Sequence, residues 1–423
     1  MTRATTIVNA RVFDGDMATE CTSVRFVDGV ISDCSAVSAA HDGDEVFDAE
    51  GGTLLPGLID SHVHLVPGAL AQSLAFGVTT VLDMFSLPVV ADEAKEQSRS
   101  LLDVADVRSS TIGATAPGGH PSAAYAPIPT LERPEQAEGF VEQRVAEGAD
   151  YLKIIVTPGG LWPSLDRETI SALVTAAHRR GIVTVGHVNS LAGLEDMVAA
   201  GIDVVAHVPF DVELSETVIE RIARAGIAVG PTLATVENTL GMQVGRAVLD
   251  DERLELFLGE RARESASGAE RKRGGRLPPY ARAEHNVRLL ARAGVEIIAG
   301  TDAPNPGTVF GASLHRELEL LVRAGVEPAR ALAAATSAPA RLFALDDRGR
   351  VAVGLRADLL LVTGDPLDDI TQTRGIAQIW RGGVAIERRV YEPSPAENAQ
   401  LEAFDARVAA AVAAVRAGGT GVR

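Results

Sequence analysis

Four histidines, one lysine and one aspartate stand at the ends of short apolar runs, and their side chains are those of a metal site. His62 and His64 close the run TLLPGLIDSHVHL, Lys153 lies in ADYLKIIV, and His187 and His207 end GIVTVGHV and GIDVVAHV. Asp302 ends GVEIIAGTD. The i, i+2 spacing of His62 and His64 puts both imidazoles on one side of an extended strand, where both reach the same cation. His187 and His207, on successive strands, converge on a second ion, and Asp302 falls beside the first strand if the sheet closes on itself. Lys153 has to be explained separately, because a protonated ammonium on an apolar strand is costly to bury and repels cations. Carboxylation of its amine by CO2 gives an anionic carbamate able to bridge two ions. Lysine is scarce in this chain, with only Lys95, Lys153 and Lys272 among 39 basic residues, so an apolar lysine marks a specific need. A single strand histidine is usually a hydrogen-bonded core residue. Six donors at matching ends of five runs are not required by packing.

These residues need a scaffold that brings five strand ends together. From residue 54 to about 345 the sequence alternates apolar runs with stretches of helical periodicity, the rhythm of a parallel sheet. The runs are TLLPGLIDSHVHL, GVTTVLDM, VRSSTIGA, ADYLKIIV, GIVTVGHV, GIDVVAHV, GIAVGPTL and GVEIIAGTD. Eight strand–helix units predict an α/β fold, a (β/α)8 TIM barrel over residues 56–349, with its active site at the C-terminal strand ends. Residues 5–50 instead show short alternating segments punctuated by Asp-Gly, a hairpin texture that returns after residue 350. A small discontinuous β-sandwich domain is therefore expected from residues 1–55 and 350–395, followed by a C-terminal helix over 396–423. About sixty residues separate the seventh and eighth runs. Within them, 237–283 is either a lid or an ordinary helical excursion with a solvated charge run.

Composition narrows the function classes. With 57 acidic against 39 basic residues the net charge is −18, which argues against a nucleic-acid partner. Cys21 and Cys34 are the only cysteines and exclude a disulfide framework. The opening MTRATTIVNARVFDG lacks a charged segment followed by a long apolar one, and no apolar run approaches bilayer length, so no membrane role and a cytoplasmic location are expected.

LLPGLIDSHVHL, the lysine of the fourth run, the two later strand-end histidines and AGTDAP together resemble the amidohydrolase superfamily across nearly the whole chain. TTVLDM, GADYLKII, LHRELELLVRAGVEPARALAAATSAPARLFAL and GLRADLLLV are similar to its imidazolonepropionase-related branch, which includes dipeptidases, carboxypeptidases and amide or urea hydrolases. The resemblance implies that His62, His64 and Asp302 bind one ion and His187 and His207 the other. Carboxylated Lys153 and a hydroxide then bridge the pair. Two such cations acidify the shared water and polarise the scissile carbonyl. Asp302 takes the proton and returns it to the leaving nitrogen. Zinc is the first expectation, with manganese, cobalt and iron as alternatives. His120, in the loop APGGHPS, resembles a substrate-binding element of the peptidase-like members and is expected to hold a carboxylate or the developing oxyanion. The loop's Pro-Ser continuation and the tyrosine-free PTLATVEN segment depart from the dipeptidases.

The expected function is C–N bond hydrolysis on a small-molecule substrate, in a chain that forms a homo-oligomer. Two alternatives remain: a mononuclear deaminase, whose superfamily members usually lack the bridging lysine, and a non-catalytic scaffold, which has no use for six buried ligands. Asp83 and His315 are expected to act behind the site or in the structure. His41, His178 and His285 are expected to be structural.

Overall fold

A computed structural model describes residues 4–37, 40, 42–125, 127–158, 162–240, 242, 245–267 and 280–418. Seven parallel strands follow the rhythm read from the sequence: β1 (Leu58–Val63), β2 (Val78–Asp83), β3 (Asp106–Ser109), β4 (Leu152–Ile155), β5 (Thr184–His187), β6 (Val204–Ala206) and β7 (Ala228–Gly230). They form two sheets, β1–β2–β3 and β4–β5–β6–β7, and the fold is α/β. The connecting helices have sequence-encoded ends. Asp166 and Ser190 cap Arg167–Arg179 and Leu191–Ala200 by accepting backbone N–H bonds from Thr169 and Gly193. Gly201 then stops the second of these at φ 79, a conformation that side chains with a Cβ disfavour.

Backbone bonds continue past both sheets. Ala114 N donates to Lys153 O at 2.7 Å and Ile155 N to Ala114 O at 2.9 Å, which links the segment after β3 to β4. Beyond β7, Val229 N donates to Glu296 O and Ile298 N to Val229 O. On the far side of that segment, Ser61 N donates to Ala299 O, Asp302 N to His62 O and His64 N to Ala303 O, so residues 296–303 touch both β7 and β1. The predicted eighth strand is therefore present as a connecting segment but not as a regular ladder. Carbonyls of Ala334 and Ala335 take the N–H groups of Ala299 and Ile59, bonds that a regular pair would have used.

The first apolar run also differs from a single strand. Thr53–Pro56 pairs with Leu359–Val362 and Arg11–Phe13, in a six-stranded sheet drawn from both parts of the chain, and only Leu58–Val63 joins the parallel sheet. The switch falls at Gly57, where a Cβ would meet the Thr79 side chain at 2.3 Å. A four-stranded sheet (Ala4–Val8, Ser23–Val27, Val30–Ser35 and Glu45–Asp48) packs with the six-stranded one through Ile7, Val24, Phe26, Leu54, Leu361 and Trp380. Cys21 and Cys34 form one disulfide, a single bridge that the sequence does not announce. The pairing of Val24 with Cys34 brings the two Cα atoms within 5.8 Å, a proximity that their spacing does not announce.

Strand alternation sorts the parallel sheets. Leu152 and Ile154 face the helices, whereas Tyr151 packs with Ile59, Leu82, Val185, Val204 and Ile298 on the opposite face, which also carries Lys153 and His187. The C-terminal helix spans Pro395–Gly418, with residues 419–423 outside the described region; Leu401 is buried and Phe404 meets Tyr125 edge-on. In the 237–283 segment, Val248, Leu254, Leu258 and Ala266 pack against Phe76 and Val309. Residues 241, 243–244 and 268–279 of that segment lie outside the described residues, as does His41. Among the described residues no helix is long and apolar enough to cross a membrane.

Candidate metal centre

The strand ends gather the expected donors. His64 Nε2 lies 3.0 Å and His62 Nε2 3.4 Å from Asp302 Oδ1, while His207 Nε2 lies 3.9 Å from Asp302 Oδ2 and 3.1 Å from His187 Nδ1. The ligand atoms of His62, His207 and Asp302 all lie within 4.8 Å of one another. This triad takes one histidine from each expected pair, because the His62 and His207 rings lie with their centroids 4.9 Å apart. His120 stands at the rim, its ring 5.4 Å from His187 and 5.1 Å from Trp162.

Burial sets the protonation of this cluster. It pushes His207 and His120 down to about 4, and it holds His62 and His187 well below the usual imidazole range, with neighbouring Lys153 and His207 adding to the effect. Burial also brings Lys153 down to about 7. It acts in the opposite sense on Asp302. There the His64 hydrogen bond and the His207, His64 and Lys153 charges prevail, and the carboxyl stays below its ordinary value. At neutral pH these are imidazole lone pairs around a carboxylate, a donor set suited to a divalent cation. Lys153 Nζ and His64 Nδ1 are both buried without a hydrogen-bond partner among the described residues. Unsatisfied buried polar atoms are costly, and here they belong to the cluster that an ion or a carbamate would complete.

The supporting residues explain how the donors are aimed. Asp60, two residues before His62, accepts from His62 N at 3.2 Å, Thr301 N at 3.0 Å and Thr301 Oγ1 at 2.7 Å, tying β1 to the segment that presents Asp302. Its burial raises it to about 7. Asp83 accepts from Leu65 N, Ser86 and Ser109, and so stands behind His64, as expected for a supporting role. Thr232 follows β7 with φ 47 and ψ 49 and is fully buried. Its Oγ1 meets His207 Nδ1. A β-branched residue there costs roughly 1–2 kcal/mol. Away from the cluster, His315 bonds Phe76 O and Thr373, and His178 pairs with Asp203. Both are engaged in these contacts outside the cluster. Asp60 and Thr232 do not stand out from the sequence pattern. Asp60 has the same two-residue spacing as the HxH pair and was the one open to detection.

Residues 53–386 match the amidohydrolase family, and the chain belongs to it. It is accordingly a hydrolase, in a family whose members are generally metal-dependent. An uncharacterized protein of Mycobacterium tuberculosis is 28% identical over 366 residues, covering 80% of this chain and 85% of the relative. The imidazolonepropionase of Rhodococcus jostii is 24% identical over 405 residues, covering 85% and 87%. A solved Xaa-Pro dipeptidase with bound methionine superposes with a TM-score of 0.72 at 22% identity, covering 91% of this chain and 100% of that one. At that identity the likeness speaks for the fold.

Proposed function

We propose that this chain is a binuclear metal-dependent hydrolase that cleaves a C–N bond of a small molecule: an amide, a peptide-like group, a cyclic amide or a urea. The observation that carries the proposal is Lys153. Its amine is buried beside the charges of Asp302 and Asp83, has no hydrogen-bond partner among the described residues, and is brought by burial toward the neutral form. That is the form of an amine that adds CO2. In this reading residues 56–349 are a (β/α)8 barrel closed through the 296–303 segment. Residues 1–55 and 350–395 are a discontinuous β-sandwich.

His62, His64, His187, His207, Asp302 and carboxylated Lys153 would hold two divalent ions, zinc first and manganese, cobalt or iron after it. Bound there, such ions acidify water and polarise a carbonyl. Asp302, the carboxylate of the His62–His207–Asp302 group, would accept a proton and return it to the leaving nitrogen. His120, at the rim, would hold a substrate carboxylate or the developing oxyanion. The assembly is read as a homo-oligomer, and its location as the cytoplasm. The Cys21–Cys34 disulfide runs against the latter, because reducing cytosol keeps thiols free.

A mononuclear deaminase is the second reading, and the compact His62–His207–Asp302 triad favours it. Lys153→Ala separates the two. A bridging role predicts lost turnover on N-acyl amino acids, dipeptides, lactams or aryl ureas, with partial rescue by short carboxylic acids. Full activity without rescue removes the bridge.

A further inference from the structure

Thr232 lies just past β7, and its side chain reaches back to a ring of the cluster. Its oxygen meets His207 Nδ1, and the same hydroxyl donates to Pro231 O at 2.9 Å. A threonine hydroxyl has one proton to give. With that proton on Pro231, the oxygen facing His207 accepts, and the ring carries its proton on Nδ1. Nε2 is then unprotonated and accepts from His187 Nδ1 at 3.1 Å, with Asp302 Oδ2 3.9 Å away.

The turn that delivers this hydroxyl is held from a distance. Glu317, fully buried on the Ala312–Arg323 helix, accepts from Leu233 N at 2.9 Å and Ala234 N at 2.7 Å. Those are the two residues that follow Thr232. Glycine would adopt φ 47 without strain but would bring no hydroxyl. Strain kept at such a position points to a use for the side chain.

We propose that Thr232 is a positioning residue for His207, fixing the ring in the Nδ1-protonated tautomer so that Nε2 is the ligand atom, with Glu317 holding the turn. The proposal rests on the metal-centre reading for its purpose, though not for its geometry. The full-length chain, labelled with 15N-histidine, reports the tautomer directly, and His207→Gln assigns the signal. Zinc affinity is measured in parallel by competition with a chromophoric chelator. Thr232→Val keeps the shape and removes the hydroxyl, and Thr232→Ser restores it. We expect Nδ1–H on His207 in the metal-free wild type, a zinc Kd raised about 10–100-fold in Thr232→Val, and a return to within about threefold in Thr232→Ser. Nε2–H in the wild type overturns the proposal, as does Thr232→Val with unchanged affinity and tautomer. If Thr232→Val does not fold, the wild-type tautomer still decides. If the wild type binds no zinc yet shows Nδ1–H that Thr232→Val loses, the positioning stands and the metal-centre reading fails.

Discussion

Replacing Lys153 with methionine should stabilise the metal-free protein and, under the proposed binuclear function, remove its capacity for a second ion. The two side chains are of similar length, so the packing beside Gly113 is kept and the change is mainly electrostatic. Burial brings the lysine from its ordinary 10.5 to about 7. At pH 7 the unfolded chain takes up this proton fully and the folded chain only half, a difference that costs the folded state about 4 kcal/mol. For a chain of 423 residues, that corresponds to a rise in Tm of about 4 °C in Lys153→Met. The sign follows from a lysine depressed on folding. The penalty is complete below pH 7 and fades as pH rises toward 10.5, leaving less than about 1 kcal/mol at pH 10. Thermal unfolding of both proteins after metal removal, between pH 7 and 10, measures it. Zinc should reverse the order, because only the wild type keeps its full ligand set and gains binding free energy. A variant no more stable than wild type at pH 7, or an advantage undiminished at pH 10, would refute the reasoning.

Other expectations concern the scaffold. Arg348 is buried between Asp106 and Thr80, and it holds Asp106 well below the ordinary carboxylate value although burial alone would raise it. Arg348→Met should therefore cost about 3 kcal/mol in denaturant unfolding and leave metal content unchanged; a neutral effect would mean that Arg108 and Arg356 suffice. Asp166→Ala removes the cap on Arg167–Arg179 and should cost about 1 kcal/mol, again with no change in zinc affinity. The Cys21–Cys34 disulfide closes a loop of separation 13, so its reduction should lower stability by about 3 kcal/mol. Thiol titration of the unreduced, unfolded chain should find no free thiol, and two thiols would count against the bond.

Much of this was legible in the chain because strand ends announce themselves. The apolar runs that close at His187 and His207 became β5 and β6, and the HxH spacing brought both His62 and His64 to the same Asp302 oxygen. What was hidden depends on contacts between distant segments. GVEIIAGTD has the composition of a strand, yet Ala334 and Ala335 intercept its ladder from across the fold. Thr232 looks like an ordinary polar residue in PTLATVEN, and its φ of 47 is imposed by Glu317, 85 positions later. Glu317 itself sits in RELELL, where helical periodicity suggests a solvated acid, but α-helix packing buries it completely. The grouping of donors was likewise a matter of ring placement. His62 and His207 come from strands that are not adjacent, and only the closing of the strand ends brings their rings together.

The binuclear centre is decided by the metal content of the purified chain after reconstitution with zinc and bicarbonate, measured by inductively coupled plasma mass spectrometry. Close to two equivalents per chain are expected, falling to one or fewer in Lys153→Ala. One equivalent or none in the wild type would contradict it.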